Sequence, residues 1–379
     1  MTPALLQATE LNFNLGGPGD LDRFPWSVPA SILLLLLIAA LLWKGRRNYM
    51  ALPELRKVDG PPSLDATVVI PARNEERRIE DCVRSFPRTK VIVADDASKD
   101  RTAELARQAG AEVIAAPPLP KGSKGKPNAL AAAAASLSTP YVLFADADTR
   151  YEPGFLASAV EHAAAGKFVM LTPLLRMECV SFFERMLAPY AYAIYFCGVN
   201  TKRAHNVLQR DILASGHCIL FQREAYEFVG GHRNVATAVL DDVAITQAVK
   251  RHRMKLRIVR AEGLGSVRLD NSTRVFWRAM KRNSARVFRA RARVRLPVIF
   301  CTIFMTALPA AAAWSAYEKQ WGMMAALFAV PWLLLMPWYR GMFSALLYLP
   351  AMLLFPLIAL NALTASFFGR KTSWKGRKV

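Results

Sequence analysis

The sequence predicts an α/β domain with a mostly parallel sheet, held between membrane-embedded ends. Three observations predict it. Short apolar runs alternate with helix-forming stretches between about Asp65 and Asp270, a long aliphatic run precedes them, and nearly everything beyond Leu296 is apolar again. The chain has 379 residues, of which 53% are hydrophobic, and a formal net charge of +21. Because the apolar residues are so unevenly placed, this length reads as one catalytic-sized domain plus membrane elements rather than two soluble domains.

Residues 1–25 form an N-terminal tail expected outside the cytoplasm, and residues 26–44 the first membrane anchor. Ile32 to Leu42 is purely aliphatic, and Trp26 and Trp43 suit the two interfaces. A signal peptide needs basic residues before its apolar run, but here Glu10, Asp20 and Asp22 outnumber Arg23. Lys44, Arg46 and Arg47 follow the run instead, so it reads as an uncleaved anchor. Its basic flank is retained on the cytoplasmic side of a bacterial-type inner membrane, with the next domain.

After a linker at 45–64 comes the α/β domain, 65–270. Strands are expected at Thr67–Ile70, Val91–Ala94, Glu112–Ile114 and Tyr141–Ala145. Helices are expected at Asn74–Phe86, Lys99–Ala109 and Pro127–Leu137. Ser181–Val199 carries Phe182, Phe183, Met186, Leu187, Tyr190, Ile194 and Tyr195 at roughly helical spacing. It fits an internal core helix and a helix on the membrane face equally well.

Residues 271–296 place many arginines, Arg274, Arg278 and Arg286 among them, between Val275, Phe276, Trp277 and Phe288, with no acidic residue from Arg274 onward. This is the pattern of an interfacial helix on anionic lipid. Pro297–Trp314, Trp321–Tyr339 and Met342–Phe368 make 297–368 a membrane region of two or three spans. Three further crossings would put the tail at 369–379 outside, yet Arg370, Lys371, Lys375, Arg377 and Lys378 favour the inside. A re-entrant segment, eased by Pro331, Pro337, Pro350 and Pro356, would reconcile the two.

The five cysteines form no CxxC pair and read as reduced, buried thiols, in keeping with a cytoplasmic domain. The basic excess comes without a helix-turn-helix, RNP or zinc-finger pattern, so nucleic acid is not expected as a partner. Anionic lipid and a diphosphate-bearing substrate fit better, because the cations gather beside the membrane segments.

Ligand-binding residues of such sheets lie at the carboxyl ends of the strands. Four motifs fall there: Pro71-Ala72-Arg73-Asn74-Glu75, Asp95-Asp96-Ala97-Ser98-Lys99-Asp100, Asp146-Ala147-Asp148 and Leu240-Asp241-Asp242. Singly they are weak, since Asp100 and Asp242 would serve equally as helix caps. Asp146 and Asp148 after Val142-Leu143-Phe144 concentrate negative charge at a sheet edge. Such charge calls for a cation, and oxygen ligands suit Mg²⁺ or Mn²⁺, with a diphosphate completing the shell.

These motifs, with Gly125-Lys126-Pro127-Asn128-Ala129-Leu130, occur in the order found in glycosyltransferase family 2, which the chain resembles from about Thr67 to Arg289. The resemblance implies a GT-A fold and inverting transfer of a sugar from a nucleotide-sugar donor, with a UDP-sugar as the expected donor. It implies that Pro71, Asn74 and Glu75 hold the nucleoside, that Asp96 reads the uracil edge with Asp95 beside it, and that Lys126 lies near the donor. It also implies Asp148, with Asp146, at the metal, Asp146 as the residue facing the nucleotide and ribose, and Asp242 as general base beside Asp241, which stands where glutamate is usual.

The Asp211–Cys218 segment contains Gly216 and His217, candidates for touching the acceptor, although a histidine satisfied locally is the plainer reading. Processive members carry Q-x-x-R-W after the base; here Arg286 is kept in Asn283-Ser284-Ala285-Arg286-Val287, while Gln and Trp are absent. That argues against chain elongation and leaves Arg286 to neutralise a diphosphate. The plan is most similar to the hopanoid-associated subgroup, with ceramide and carotenoid glucosyltransferases next, so a membrane lipid acceptor is expected. The alternatives are a processive polysaccharide synthase and an inactive lipid-binding scaffold; the intact acidic motifs count against the second.

Overall fold

A computed structural model describes residues 27–238, 240–268, 276–277, 280, 292–367, 373–374 and 377–378. In chain order the strands of the α/β region are β1 (Ala66–Ala72), β2 (Lys90–Asp95), β3 (Glu112–Ala115), β4 (Tyr141–Ala145), β5 (Thr149–Tyr151), β6 (Met170–Leu174), β7 (Arg176–Glu178), β8 (Cys218–Gln222), β9 (Leu256–Arg260) and β10 (Gly265–Arg268). The helices are α1 (Ser27–Met50), α2 (Ile79–Arg84), α3 (Thr102–Gln108), α4 (Gly125–Ala134), α5 (Phe155–Gly166), α6 (Phe182–Gly198), α7 (Thr201–His205), α8 (Arg223–Phe228), α9 (Gly231–Asn234), α10 (Asp241–Arg251), α11 (Ala292–Tyr317), α12 (Trp321–Tyr339), α13 (Met342–Ala345) and α14 (Tyr348–Phe367).

Seven strands form one sheet in the order β3-β2-β1-β4-β8-β6-β9. Strands β3, β2, β1 and β4 are parallel, β8 runs antiparallel between β4 and β6, and β9 is parallel to β6. Alternation along each strand divides the core. Val68, Ile70, Val93, Leu143 and Ala145 face one layer, and Val69, Ile92, Val142 and Phe144 the other. With both faces covered, the strands read as continuous apolar runs. The all-buried Tyr141–Ala145, with the bounds expected from sequence, is the clearest case.

Two helices begin later than their periodicity suggests. The stretch expected from Asn74 becomes helical only at Ile79, and that expected from Lys99 only at Thr102. Asn74 has φ +53°, a left-handed conformation that asparagine tolerates and a helix interior does not. The backbone N–H groups of Asn74, Glu75 and Glu76 donate to Ser98 Oγ, Thr102 Oγ1 and Asp100 Oδ2, so the two loops answer each other's donors.

The linker is structured where it meets the sheet. Helix α1 continues through Met50, and Leu52 and Leu55 are buried. Leu55 N–H donates to the Arg260 carbonyl and Arg260 N–H to that of Pro53, both at 2.8 Å.

Four helical stretches, Ser27–Met50, Ala292–Tyr317, Trp321–Tyr339 and Met342–Asn361, are long and apolar enough to cross a membrane. They converge on α6. Its N-terminus is capped by Ser181, which accepts from Glu184 N–H while Glu184 Oε2 accepts from Ser181 N–H, a reciprocal capping box. Met186, Leu187, Tyr190, Ile194 and Cys197 form a third core with Ile38, Leu42, Cys301, Met305 and Leu335. Phe182 and Phe183 stay exposed at its start. The helix is thus a core element along most of its length and apolar outward only at that end. The five cysteines are free thiols, four of them buried. The N-terminal tail, most of 271–291 and most of the basic tail lie outside the described residues.

Candidate active site

The site is built at the carboxyl edge of β1, β2 and β4. At β1 and β2, Pro71 is still paired in the sheet, opposite Ala94. Asn74 Oδ1 accepts the Lys99 N–H at 2.8 Å, so its side chain clasps the two loops. Asp96 is 6% exposed; Arg73 Nη1 donates to its carbonyl at 2.6 Å and lies 3.5 Å from its carboxylate. Asp95 Oδ2 accepts from Ser98 N–H, while Oδ1 is buried with no hydrogen-bond partner.

At β4, Asp146 N–H donates to the His217 carbonyl, which ties the strand end to the Gly216–His217 loop. Lys126, in the first turn of α4, places Nζ 2.6 Å from Asp146 Oδ1 and donates to the Gly216 carbonyl at 2.8 Å. Burial alone would lower the Lys126 pKa, but Asp146, Asp241 and Asp242 outweigh it and hold the ammonium above its ordinary value. Asp148 is the opposite case. Burial, then Asp146, push its carboxyl up to about 6, with Glu75 adding and His217 and Arg78 opposing. Arg78 Nη1 is 3.9 Å from Asp148 Oδ2, and Asp148 Oδ1 is buried without a hydrogen-bond partner.

That orphaned oxygen is the observation that tests for a cation. A buried acceptor aimed beside a second carboxylate fits a divalent ion, which would answer it and relieve the repulsion. Among the described residues no group of three or more His, Cys, Asp or Glu side chains could hold a metal by itself. The two aspartates suit an ion that keeps water or phosphate oxygens in its shell.

The last element is α10. Its N-cap is Leu240, so Asp242 sits inside the first turn and is not the cap. Asp242 Oδ1 accepts the Val243 N–H at 2.8 Å, and Thr246 Oγ1 donates to the Asp242 carbonyl. Oδ2 faces Gly216: a Cβ built there would lie 3.4 Å from it. Burial would raise the Asp241 pKa, but Lys126 and His232 hold it below the ordinary carboxylate value.

The structure therefore gathers Lys126, Asp146, Asp148, Gly216, His217, Asp241 and Asp242 around one edge. It joins them through Arg78 and Glu75 to the β1–β2 loops with Asn74, Asp95 and Asp96. His217 Nδ1 is 3.1 Å from Ser215 Oγ, a local partner. Arg286 lies outside the described residues.

Two neighbours carry no sequence signal of their own. Arg78 differs from the basic residues around it only by its reach to Asp148. His232, 2% exposed, packs edge-on to Phe144, shares a 2.9 Å hydrogen bond with Tyr226 Oη, and is pushed down to about 4 by burial, with Asp241 opposing. Gly230 and Gly231 before it are both at positive φ.

A mixed sheet of this order with paired aspartates after its fourth strand defines the GT-A class of fold. Its overall path matches that of a mannosyltransferase, PcManGT, from Pyrobaculum calidifontis, solved in complex with GDP-Man and Mn²⁺. The identity is 18%, the TM-score 0.50, and the match covers 91% of this chain and 98% of that one. Residues 67–230 match the Glycosyl transferase family 2 model. It is 28% identical over 240 residues to a 4,4'-diaponeurosporenoate glycosyltransferase of Staphylococcus haemolyticus (strain JCSC1435), covering 62% of this chain and 63% of the relative. It is also 28% identical over 192 residues to the Staphylococcus aureus (strain NCTC 8325 / PS 47) protein of that name, covering 48% and 50%. The chain thus spans less than two thirds of either relative's length.

Proposed function

We propose that this protein is an inverting glycosyltransferase that moves a single sugar from a nucleotide-sugar, a UDP-sugar by preference, to a membrane lipid. The observation that carries the reading is the convergence of Asp146, Asp148, Lys126 and Asp242 on one sheet edge, opposite the Gly216 backbone. The staphylococcal relatives favour a carotenoid-like acceptor over a hopanoid or ceramide. A catalytic domain on the cytoplasmic face of the inner membrane would meet both its donor and its acceptor.

Asp242 takes the proton of the acceptor hydroxyl as that oxygen bonds to the sugar's anomeric carbon. The bond from that carbon to the diphosphate breaks on the opposite side, and the nucleoside diphosphate leaves. Lys126 and Arg78 supply positive charge beside it, and Asp146, with Asp241, keeps Lys126 protonated. Asp148, with Asp146, would hold Mg²⁺ or Mn²⁺, whose charge stabilises the leaving diphosphate. Asn74 and Arg73 hold the nucleoside side of the pocket in shape around Asp95 and Asp96.

The test uses the full chain in detergent with radiolabelled nucleotide-sugars and extracted bacterial lipids. Sugar should enter the lipid phase with Mn²⁺ or Mg²⁺, stop with chelator, and resume when metal is restored. Undiminished turnover in chelator would sink the metal role, and nucleotide-sugar left intact in every donor and lipid combination would sink the transferase reading. For orientation, a reporter fused near Asp65 should behave as cytoplasmic, and a periplasmic signal would overturn the placement.

A further inference from the structure

We infer that Asp211 is a positioning residue that fixes the loop bearing Gly216 and His217 to the base of membrane helix α11. The contacts around Asp211 carry this. The residue is 6% exposed. Its Oδ2 accepts from Arg203 Nε in α7 at 3.0 Å and forms an ion pair with Arg293 Nη2, in the first turn of α11, at 2.9 Å. Its carbonyl accepts from Lys250 Nζ of α10 at 2.6 Å, and that ammonium also donates to the Gln209 carbonyl at 3.2 Å. One acidic residue therefore joins three helices, one of them a candidate membrane span.

A buried carboxylate costs several kcal/mol of hydration unless its oxygens are answered, and here two guanidiniums answer it. Both arginines are about 40% exposed on their side chains, so either can turn to water if the carboxylate is lost. Asp211, with little water of its own, cannot. The cluster is thus a clamp on the loop more than a support for the helices.

The loop leads directly to the acidic centre. Leu213 is buried in the core. At its far end the Gly216 and His217 carbonyls are held by Lys126 Nζ and Asp146 N–H. The segment is therefore fixed at one end to the base of α11 and at the other to the catalytic edge. By contrast the ion pair Arg340–Glu262, at the end of α12, involves half-exposed residues. On the transferase reading, on which the loop's task rests, Asp211 sets where the acceptor's hydroxyl is presented relative to the membrane and leaves the nucleotide pocket alone.

The test is amide hydrogen exchange on the full chain in lipid nanodiscs, comparing wild type with Asp211→Asn and Arg293→Gln, with UDP affinity in Mn²⁺ measured in parallel. Both variants should speed exchange in 206–217 by about tenfold or more, while strands β1 and β4 and UDP affinity stay within about twofold of wild type. Arg293→Gln guards against a folding defect, since it alters a half-exposed side chain outside the sheet. Wild-type protection of the loop in both variants would overturn the inference, as would acceleration throughout the domain in Arg293→Gln. If UDP fails to bind even the wild type, the nucleotide-sugar reading falls, and the exchange result alone decides the role of Asp211.

Discussion

The two sides of the candidate site are assembled by different means. On the nucleotide side, Asn74, Glu75, Glu76, Asp95, Ser98 and Thr102 lie in two short loops that close on each other through side chain-to-backbone hydrogen bonds. On the acceptor side, Gly216, His217, Asp241 and Asp242 depend on partners far away in sequence: Lys126, Asp146 and, through Asp211, Arg293. The first side is local and self-contained. The second is fixed by the rest of the molecule, membrane helices included. On the proposed function, a pocket for a soluble nucleotide would need no information about the bilayer, whereas a loop presenting a lipid acceptor would.

The sharpest way to break this comparison is Asp242→Asn. Losing a general base typically costs about 10²- to 10⁴-fold in rate. Asp242 is not the cap of α10, and its one short-range acceptor bond can be kept by the asparagine oxygen, so the fold should hold within about 1 kcal/mol. A folded mutant that binds UDP and transfers almost no sugar is expected. Near-normal transfer would remove Asp242 and make Asp241 the next candidate.

The seam between the two sides is His232, wedged between Phe144 and the start of α10. Its folded pKa of about 4 lies below the ordinary value near 6.5, so it is neutral in the folded state and charges more readily unfolded. Its contribution to stability is complete above pH 6.5 and is lost as pH falls towards 4, about 3 kcal/mol in all. Asp148, raised to about 6, has the opposite slope over much of the same window: its burden on the fold grows as pH rises from the ordinary value near 3.8 towards 6 and is complete above that. Wild-type melting alone would mix the two. The difference between wild type and His232→Gln, measured from pH 7 to 4.5, isolates the histidine, and parallel curves would refute its role.

Gly216→Ala sharpens the acceptor side. The added methyl sits at ordinary contact distance, 3.4 Å, from Asp242 Oδ2, and on the proposed function it would occupy space beside the base. Transfer should fall about tenfold or more at unchanged melting temperature and UDP affinity, because small displacements of reacting atoms are costly. Asn74→Ala has the smallest expected effect and tests the nucleotide side. It removes the clasp on Lys99 N–H and puts alanine at φ +53°, at a cost of about 1–2 kcal/mol in stability. UDP binding should weaken several-fold, while loop 206–217 keeps its exchange protection.

The same contrast explains what could be read from the sequence. Strand β4 was legible to the residue because burial on both faces leaves an uninterrupted apolar run. The strand-end position of Asp95-Asp96 and of Asp146-Ala147-Asp148 was legible because each follows an apolar run. The start of α2 was not, since the periodicity of 74–86 is indifferent to a left-handed residue at its head. Arg78, His232 and Asp211 were illegible as site residues for a common reason: each acts through a partner that only the folded chain brings near. Helix α6 fitted two readings because it has two kinds of neighbour: membrane helices along most of its length and open surroundings at Phe182 and Phe183.

That helix has a practical consequence. It lies in the middle of the stretch that reads as a catalytic domain, yet Gly45 of α1 and Gly198 of α6 sit so close to their neighbours that an added Cβ would fall 3.2 Å from the Ala193 carbonyl and 2.1 Å from that of Val294. Backbones meeting at that range leave no seam along which a soluble fragment could be cut. A fragment of 65–270 would carry the apolar flank of α6 into water and would need detergent or a partner surface to stay dispersed. Exchanging the membrane helices for those of another protein would likewise demand small residues at these same two positions.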